Sequence, residues 1–129
     1  DAQGNFEKAL EYNIKSLDLH LQLNGLEEPN TIIILVNLGT LYRRMERWEE
    51  AYQTLEKAKV LSEKVLGEEH IGTATCYEQL GMIYESQGKL NDAVECYEKA
   101  QQAYVKIFGL EHPRAMDLKK YLVKLKENL

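Results

Sequence analysis

Apolar residues recur at helical spacing along almost the whole chain, with charged residues on the opposite faces. This spacing predicts six helices, over about 5–23, 29–45, 47–66, 71–87, 90–108 and from 113 to the end. Residues that stop or start helices mark their limits: Gly25, Gly67, Gly88 and Gly109 at the ends, Pro29 and Pro113 at the starts. Because the connections are short, consecutive helices should lie antiparallel.

The second segment carries a conflicting signal. The run from Thr31 to Val36 is rich in residues that favour a β-strand when the run is taken alone. Leu35, Leu38 and Leu41 nevertheless continue at helical spacing beyond it, and the equivalent segment 73–87 has a plain helical pattern. We therefore predict a helix here as well.

The pattern repeats after 42 residues, so that Leu38-Gly39 returns as Leu80-Gly81. The small residues Ala51 and Ala58 return as Ala93 and Ala100. A fixed period of this kind is typical of an array whose units bury their apolar faces by stacking. We predict one domain, 1–129, with the second helix of one unit, full repeats at about 30–67 and 71–109, and a terminal helix at about 113–128. The glycines and alanines should allow close helix crossings.

These offsets resemble the tetratricopeptide repeat. Its positions are filled once by Leu35, Leu38, Gly39, Tyr42, Ala51, Leu55 and Ala58, and again by Tyr77, Leu80, Gly81, Tyr84, Ala93, Tyr97 and Ala100. The unit is longer than the usual one of about 34 residues. The turns 66–70 and 108–113 are similar to those of kinesin light chains and related cytoplasmic adaptors. The resemblance implies an all-α, right-handed superhelix of antiparallel helix pairs that binds a partner protein and recruits it to a larger assembly.

The resemblance also implies that the first helix of each pair lines an inner groove. Amide and cationic side chains there can pair with the backbone and acidic side chains of a peptide, and apolar ones add contact. The predicted partner-binding residues are Ile33, Val36, Asn37, Thr40, Arg43, Arg44, Thr75, Glu78, Gln79, Met82, Lys120 and Lys124. The same inner faces also carry Glu85, Ser86, Asp117 and Tyr121. Two of these assignments have alternatives, since the arginines also suit the helix dipole and Met82 also suits packing.

Charge and composition exclude several other functions. A net charge of −5 argues against nucleic-acid binding, and the apolar run 32–36 is too short to cross a membrane. We expect no enzyme activity, metal or cofactor, because the chain offers no catalytic triad order, phosphate-binding loop or metal-ligand spacing. His70 and His112 are expected to be caps or loop residues, and Cys76 and Cys96 to be thiols of a cytoplasmic protein.

Two other functions remain open at this stage. One is a structural segment that stacks or self-associates as a homo-oligomer through its terminal helices, since the apolar face from Phe6 to Leu21 lacks a preceding helix. The other is a regulatory domain that senses a peptide. Because Asp1 is not an initiator methionine and no leader opens the chain, we expect a fragment of a longer repeat protein.

Overall fold

In a computed structural model, which describes residues 2–25 and 29–129, the chain is a succession of six helices. They are α1 (Ala2–Asn24), α2 (Pro29–Arg44), α3 (Trp48–Val65), α4 (Ile71–Ser86), α5 (Leu90–Phe108) and α6 (Pro113–Lys126). The predicted all-α class is confirmed, and the predicted limits agree with the observed ones to within a few residues. Asp1, which suggested a fragment, lies outside the described residues. None of the described helices is long and apolar enough to cross a membrane.

The segment with strand-like residues is helical because one face of that helix is deeply buried. Ile32 and Leu35 pack against Ala58 and Leu61 of α3 and against Cys76 of α4. Only a helix brings positions three and four apart onto one face, so burial of that face outweighs the local preference for a strand.

Glycine and alanine set the distance between paired helices, as predicted. A β-carbon at Gly39 would come within 2.5 Å of Leu55 Cγ, so α2 can approach α3 this closely only because the residue is glycine. The four alanines of the repeat are completely buried: Ala51, Ala58, Ala93 and Ala100. These small side chains leave room for the large ones between them, as close packing requires.

The helices follow one another as a solenoid. Within the described residues, each helix contacts the next one along the chain, and the remaining contact is between α2 and α4. The backbones of α4 and α6, which are likewise first helices of successive pairs, do not approach each other as those of α2 and α4 do. A gap therefore separates α4 from α6 on the side of the fold where α2 and α4 meet.

The turns into α4 and α6 are closed by histidine. His70 Nδ1 accepts a hydrogen bond from the backbone N–H of Gly72 at 2.9 Å, and His112 Nδ1 accepts one from that of Arg114 at 3.2 Å. Each imidazole thus satisfies a donor that the first helical turn leaves without an intrahelical partner. The prediction that both histidines are caps is confirmed.

Both cysteines are free thiols. Burial raises the pKa of Cys76 to about 12 and that of Cys96 to about 11. Thiols with such raised pKa values carry little thiolate near neutral pH, and thiolate is the reactive form. Both side chains therefore serve packing, Cys76 between α2, α3 and α4 and Cys96 beside the buried residues of α3 and α5.

Candidate functional site

The gap between α4 and α6 is a cavity of about 720 Å³. Both helices and Tyr97 of α5 contribute to its lining: Glu78, Met82, Glu85, Ser86, Tyr97, Arg114, Asp117, Leu118 and Tyr121. A cavity of this volume is within the range of binding sites for small molecules and single side chains. It lies on the side of the fold where α2 and α4 meet, which we call the concave side.

Two tyrosines hold a carboxylate at the end of this cavity. Tyr97 donates a hydrogen bond to Glu85 Oε1 at 2.9 Å, and Tyr121 donates one to Oε2 of the same residue. The two rings meet edge to face, with centroids 5.5 Å apart. Burial, together with the bond to Glu85, raises the pKa of Tyr121 to about 12 and also raises that of Tyr97. Both phenols are therefore protonated donors, and Glu85 is fixed by one buried ring and one half-exposed ring.

A second carboxylate is also oriented by a tyrosine, about two helical turns earlier in α4. Tyr104 is fully buried and donates a hydrogen bond to Glu78 Oε1 at 3.0 Å. Burial and the charge of Glu78 raise the pKa of Tyr104 to about 12. The guanidinium of Arg114 lies over the Tyr104 ring, 4.9 Å from its centroid, which is a favourable cation–π geometry.

The predicted residues of α2 lie in several different surroundings. Arg43 donates from Nε to Gln79 Oε1 at 2.7 Å, so these two predicted residues meet where α2 contacts α4. Burial lowers the pKa of Arg43.

The other predicted residues of α2 have different surroundings. Arg44 lies over the ring of Phe6 in α1, 5.5 Å from its centroid, and Val36 packs on the core beside Ile32. Ile33 and Asn37 are exposed and Thr40 is half-buried.

The predicted residues of α4 and α6 are divided between the cavity and its surroundings. Glu78 and Met82 line the cavity. Thr75 donates to the carbonyl of Ile71 one helical turn earlier, at 2.8 Å. Lys120 and Lys124 are exposed on α6 and are not part of the cavity lining. The cavity thus lies between α4 and α6, and its lining does not include the predicted residues of α2.

The sequence reasoning did not include three residues of the lining, Tyr97, Arg114 and Leu118. The first repeat has Leu55 where the second has Tyr97, so this difference between repeats was the available signal. A buried phenol needs a hydrogen-bond partner, and the partner of Tyr97 is found on the concave side of α4.

Comparison with known proteins identifies the repeat family and structures with a similar fold. The sequence profile of the tetratricopeptide repeat matches residues 2–58 and 30–106. A Podosopora anserina putative kinesin light chain with nearly identical TPR-like repeats has a TM-score of 0.84 and 22% identity, over 96% of this chain and 59% of that one. BtubC (BKLC) from P. vanneervenii has a TM-score of 0.87 and 25% identity, over 98% of this chain and 50% of that one. No curated protein sequence matches significantly.

Proposed function

Because this chain belongs to the tetratricopeptide repeat family, we propose that it is a protein-interaction module which binds a peptide or helix of a partner protein on its concave side. The observation that carries this proposal is the cavity between α4 and α6, where apolar and polar side chains converge. The carboxylates of Glu78 and Glu85 in this cavity are already oriented by hydrogen bonds within the protein. Little side-chain conformational entropy is therefore lost on binding.

The adaptor role is supported by the repeat form rather than by the cavity. The fold is shared with a putative kinesin light chain that has TPR-like repeats and with BtubC (BKLC), and this chain spans 59% of the length of the first and 50% of the second. We propose that the module recruits its partner to a larger assembly, in the manner of a scaffold. The free thiols of Cys76 and Cys96 support a reducing compartment, for which we propose the cytoplasm.

Selection from a displayed library of random peptides tests groove binding. Peptides enriched on the whole chain should lose affinity for Ser86→Trp, because Ser86 is exposed at the cavity and a tryptophan there would occupy it. The matched control is Gln102→Trp, which places the same exposed ring on α5, outside that cavity. Binding is measured by fluorescence polarisation, and circular dichroism checks that both variants are folded. Equal affinity for wild type and Ser86→Trp, or no enrichment of any peptide, would contradict the proposal.

One observation favours a second function, self-association through α1. The face from Phe6 to Leu21 that was expected to be open is largely covered, because Leu10 is buried against α2 and Phe6 and Leu17 are half-buried there. A different face is open instead, with Tyr12 73%, Leu19 57% and Leu23 71% exposed. Light scattering over a range of concentrations tests this alternative, and a constant monomer mass would exclude it.

A further inference from the structure

The cavity between α4 and α6 is lined by more acidic than basic side chains. Its lining contains three carboxylates, those of Glu78, Glu85 and Asp117, and one cationic group, that of Arg114. We propose, as an extension of the proposed function and resting on it, that this cavity receives a lysine or arginine side chain of the bound partner. The acidic partner side chains that the sequence suggested would meet like charges here.

The carboxylates are not neutralised by the protein itself. The guanidinium of Arg114 is placed over the ring of Tyr104. Within the described part of the chain, no lysine, arginine or histidine nitrogen lies within 4.0 Å of the carboxylate oxygens of Glu78, Glu85 or Asp117. The hydrogen bonds that Glu78 and Glu85 accept come from neutral phenols instead. A cation entering the cavity therefore gains charge-assisted hydrogen bonds without having to displace another cation.

The position of Glu85 is fixed before any ligand arrives. Tyr97 holds one carboxylate oxygen and Tyr121 the other, and Tyr97 is only 2% exposed. A carboxylate oxygen has two lone pairs, so each oxygen can accept a further bond from an ammonium or guanidinium group. The carboxylate thus offers a pre-oriented acceptor at the wall of the cavity.

The rest of the lining suits the remainder of a long cationic side chain. Met82 and Leu118 supply apolar surface, against which the methylene groups of lysine or arginine can pack. Tyr121 is 41% exposed and its ring forms part of the wall, which allows a cation–π contact. A purely apolar side chain would fill the same space but would remove water from the carboxylates without replacing its hydrogen bonds.

The experiment uses the same displayed library, selected in parallel on wild type and on Glu85→Gln. Peptides that bind wild type should be enriched in lysine or arginine at one position. Their affinity should fall about tenfold for Glu85→Gln, the loss typical of a charge-assisted hydrogen bond. Asp117→Asn is a second variant that cannot disturb the core, because Asp117 is exposed, and it should weaken binding in the same direction. Glu95→Gln, an exposed carboxylate of α5 outside the cavity, is the charge-matched control and should leave affinity unchanged.

The outcomes separate this inference from the proposed function. Peptides that require the cavity but are enriched in acidic or neutral residues would overturn the cationic occupant and leave groove binding intact. Replacing an enriched arginine by citrulline, or an enriched lysine by norleucine, nearly keeps the shape and removes the charge, and should also reduce affinity about tenfold. Equal affinity of the uncharged peptide would overturn the inference. Peptides that bind equally to wild type and Ser86→Trp would instead contradict the proposed function.

Discussion

The ring of Tyr97 lies directly beneath Gly81, so that a β-carbon at position 81 would be 2.8 Å from Tyr97 Cε1. This contact couples the scaffold to the cavity. Because α4 has no side chain at Gly81, the Tyr97 ring passes from the interface of α4 and α5 to the concave side, where its hydroxyl reaches Glu85. The equivalent contact of Gly39 with Leu55 has the same packing but brings no hydroxyl group to the groove.

Gly81→Ala should destabilise the protein by about 1–3 kcal/mol, although alanine normally stabilises a helix relative to glycine. The physical reason is the overlap of the new methyl group with the Tyr97 ring, which is the body of the side chain and cannot move aside. Urea unfolding followed by circular dichroism measures the change. A stability equal to or above that of wild type would show that the helices separate without loss.

Glu46→Gly should stabilise the protein by about 1 kcal/mol. Glu46 has φ 61°, a left-handed conformation, at the same turn position where the second repeat has Gly88 with φ 76°. Both turns have the same pair of backbone hydrogen bonds, exemplified by Arg47 N–H to Tyr42 O at 2.9 Å. The converse change, Gly88→Ala, should destabilise by a similar amount. Thermal unfolding of the two variants compares them, and shifts in the same direction would refute the explanation.

His70→Ala should destabilise the protein by about 1 kcal/mol, because the backbone N–H of Gly72 loses its acceptor at the start of α4. His70→Asn is the control, since asparagine is a good helix cap and should retain most of the stability. Chemical unfolding at neutral pH gives both values. If the two variants were equally destabilised, the imidazole would have a role other than capping.

Alkaline pH should destabilise the fold through Tyr104 and Tyr121, whose hydroxyl groups are hydrogen-bonded to glutamates. Burial raises the pKa of Tyr104 and of Tyr121 from 10.0 to about 12. A raised folded-state pKa contributes stability that is complete below about pH 10 and is lost as the pH rises through about 12. Ultraviolet absorbance of tyrosinate, measured against pH, should therefore show late ionisation in the native protein and ordinary ionisation in denaturant. Tyr121→Phe should remove one late-ionising group, and an unchanged curve would contradict its assignment.

Much of the fold could be predicted from the sequence because its determinants are local. Gly67, Gly109 and Pro113 mark helix limits by backbone preference, and the recurrence of Leu38-Gly39 as Leu80-Gly81 identifies which faces pack. The small residues at fixed offsets could be read as close crossings, and the structure shows them buried. Such signals depend only on residue type and spacing.

The candidate site could be predicted only in part, because it depends on distances between helices far apart in sequence. Helical spacing placed Glu78 and Met82 on the inner face, and both line the cavity. Helical spacing could not show that a cavity separates α6 from α4, or that the Arg44 guanidinium lies over the Phe6 ring. The hydrogen bond from Tyr97 to Glu85 could not be predicted either, because the Tyr97 side chain extends from the packed face of α5 to the concave side of α4. A pattern of apolar and polar positions assigns each residue to one face only.

The succession of contacts between neighbouring helices also has a mechanical consequence. Because most contacts are between helices adjacent in the chain, a small rotation at each interface would add to a larger change in the end-to-end distance. The α4–α6 gap is bridged by the Tyr121–Glu85 hydrogen bond, so this joint has less contact to resist opening than the joint of α2 and α4. A side chain seated between α4 and α6 would stiffen the softer joint, and the curvature of the array would then report whether a partner is bound.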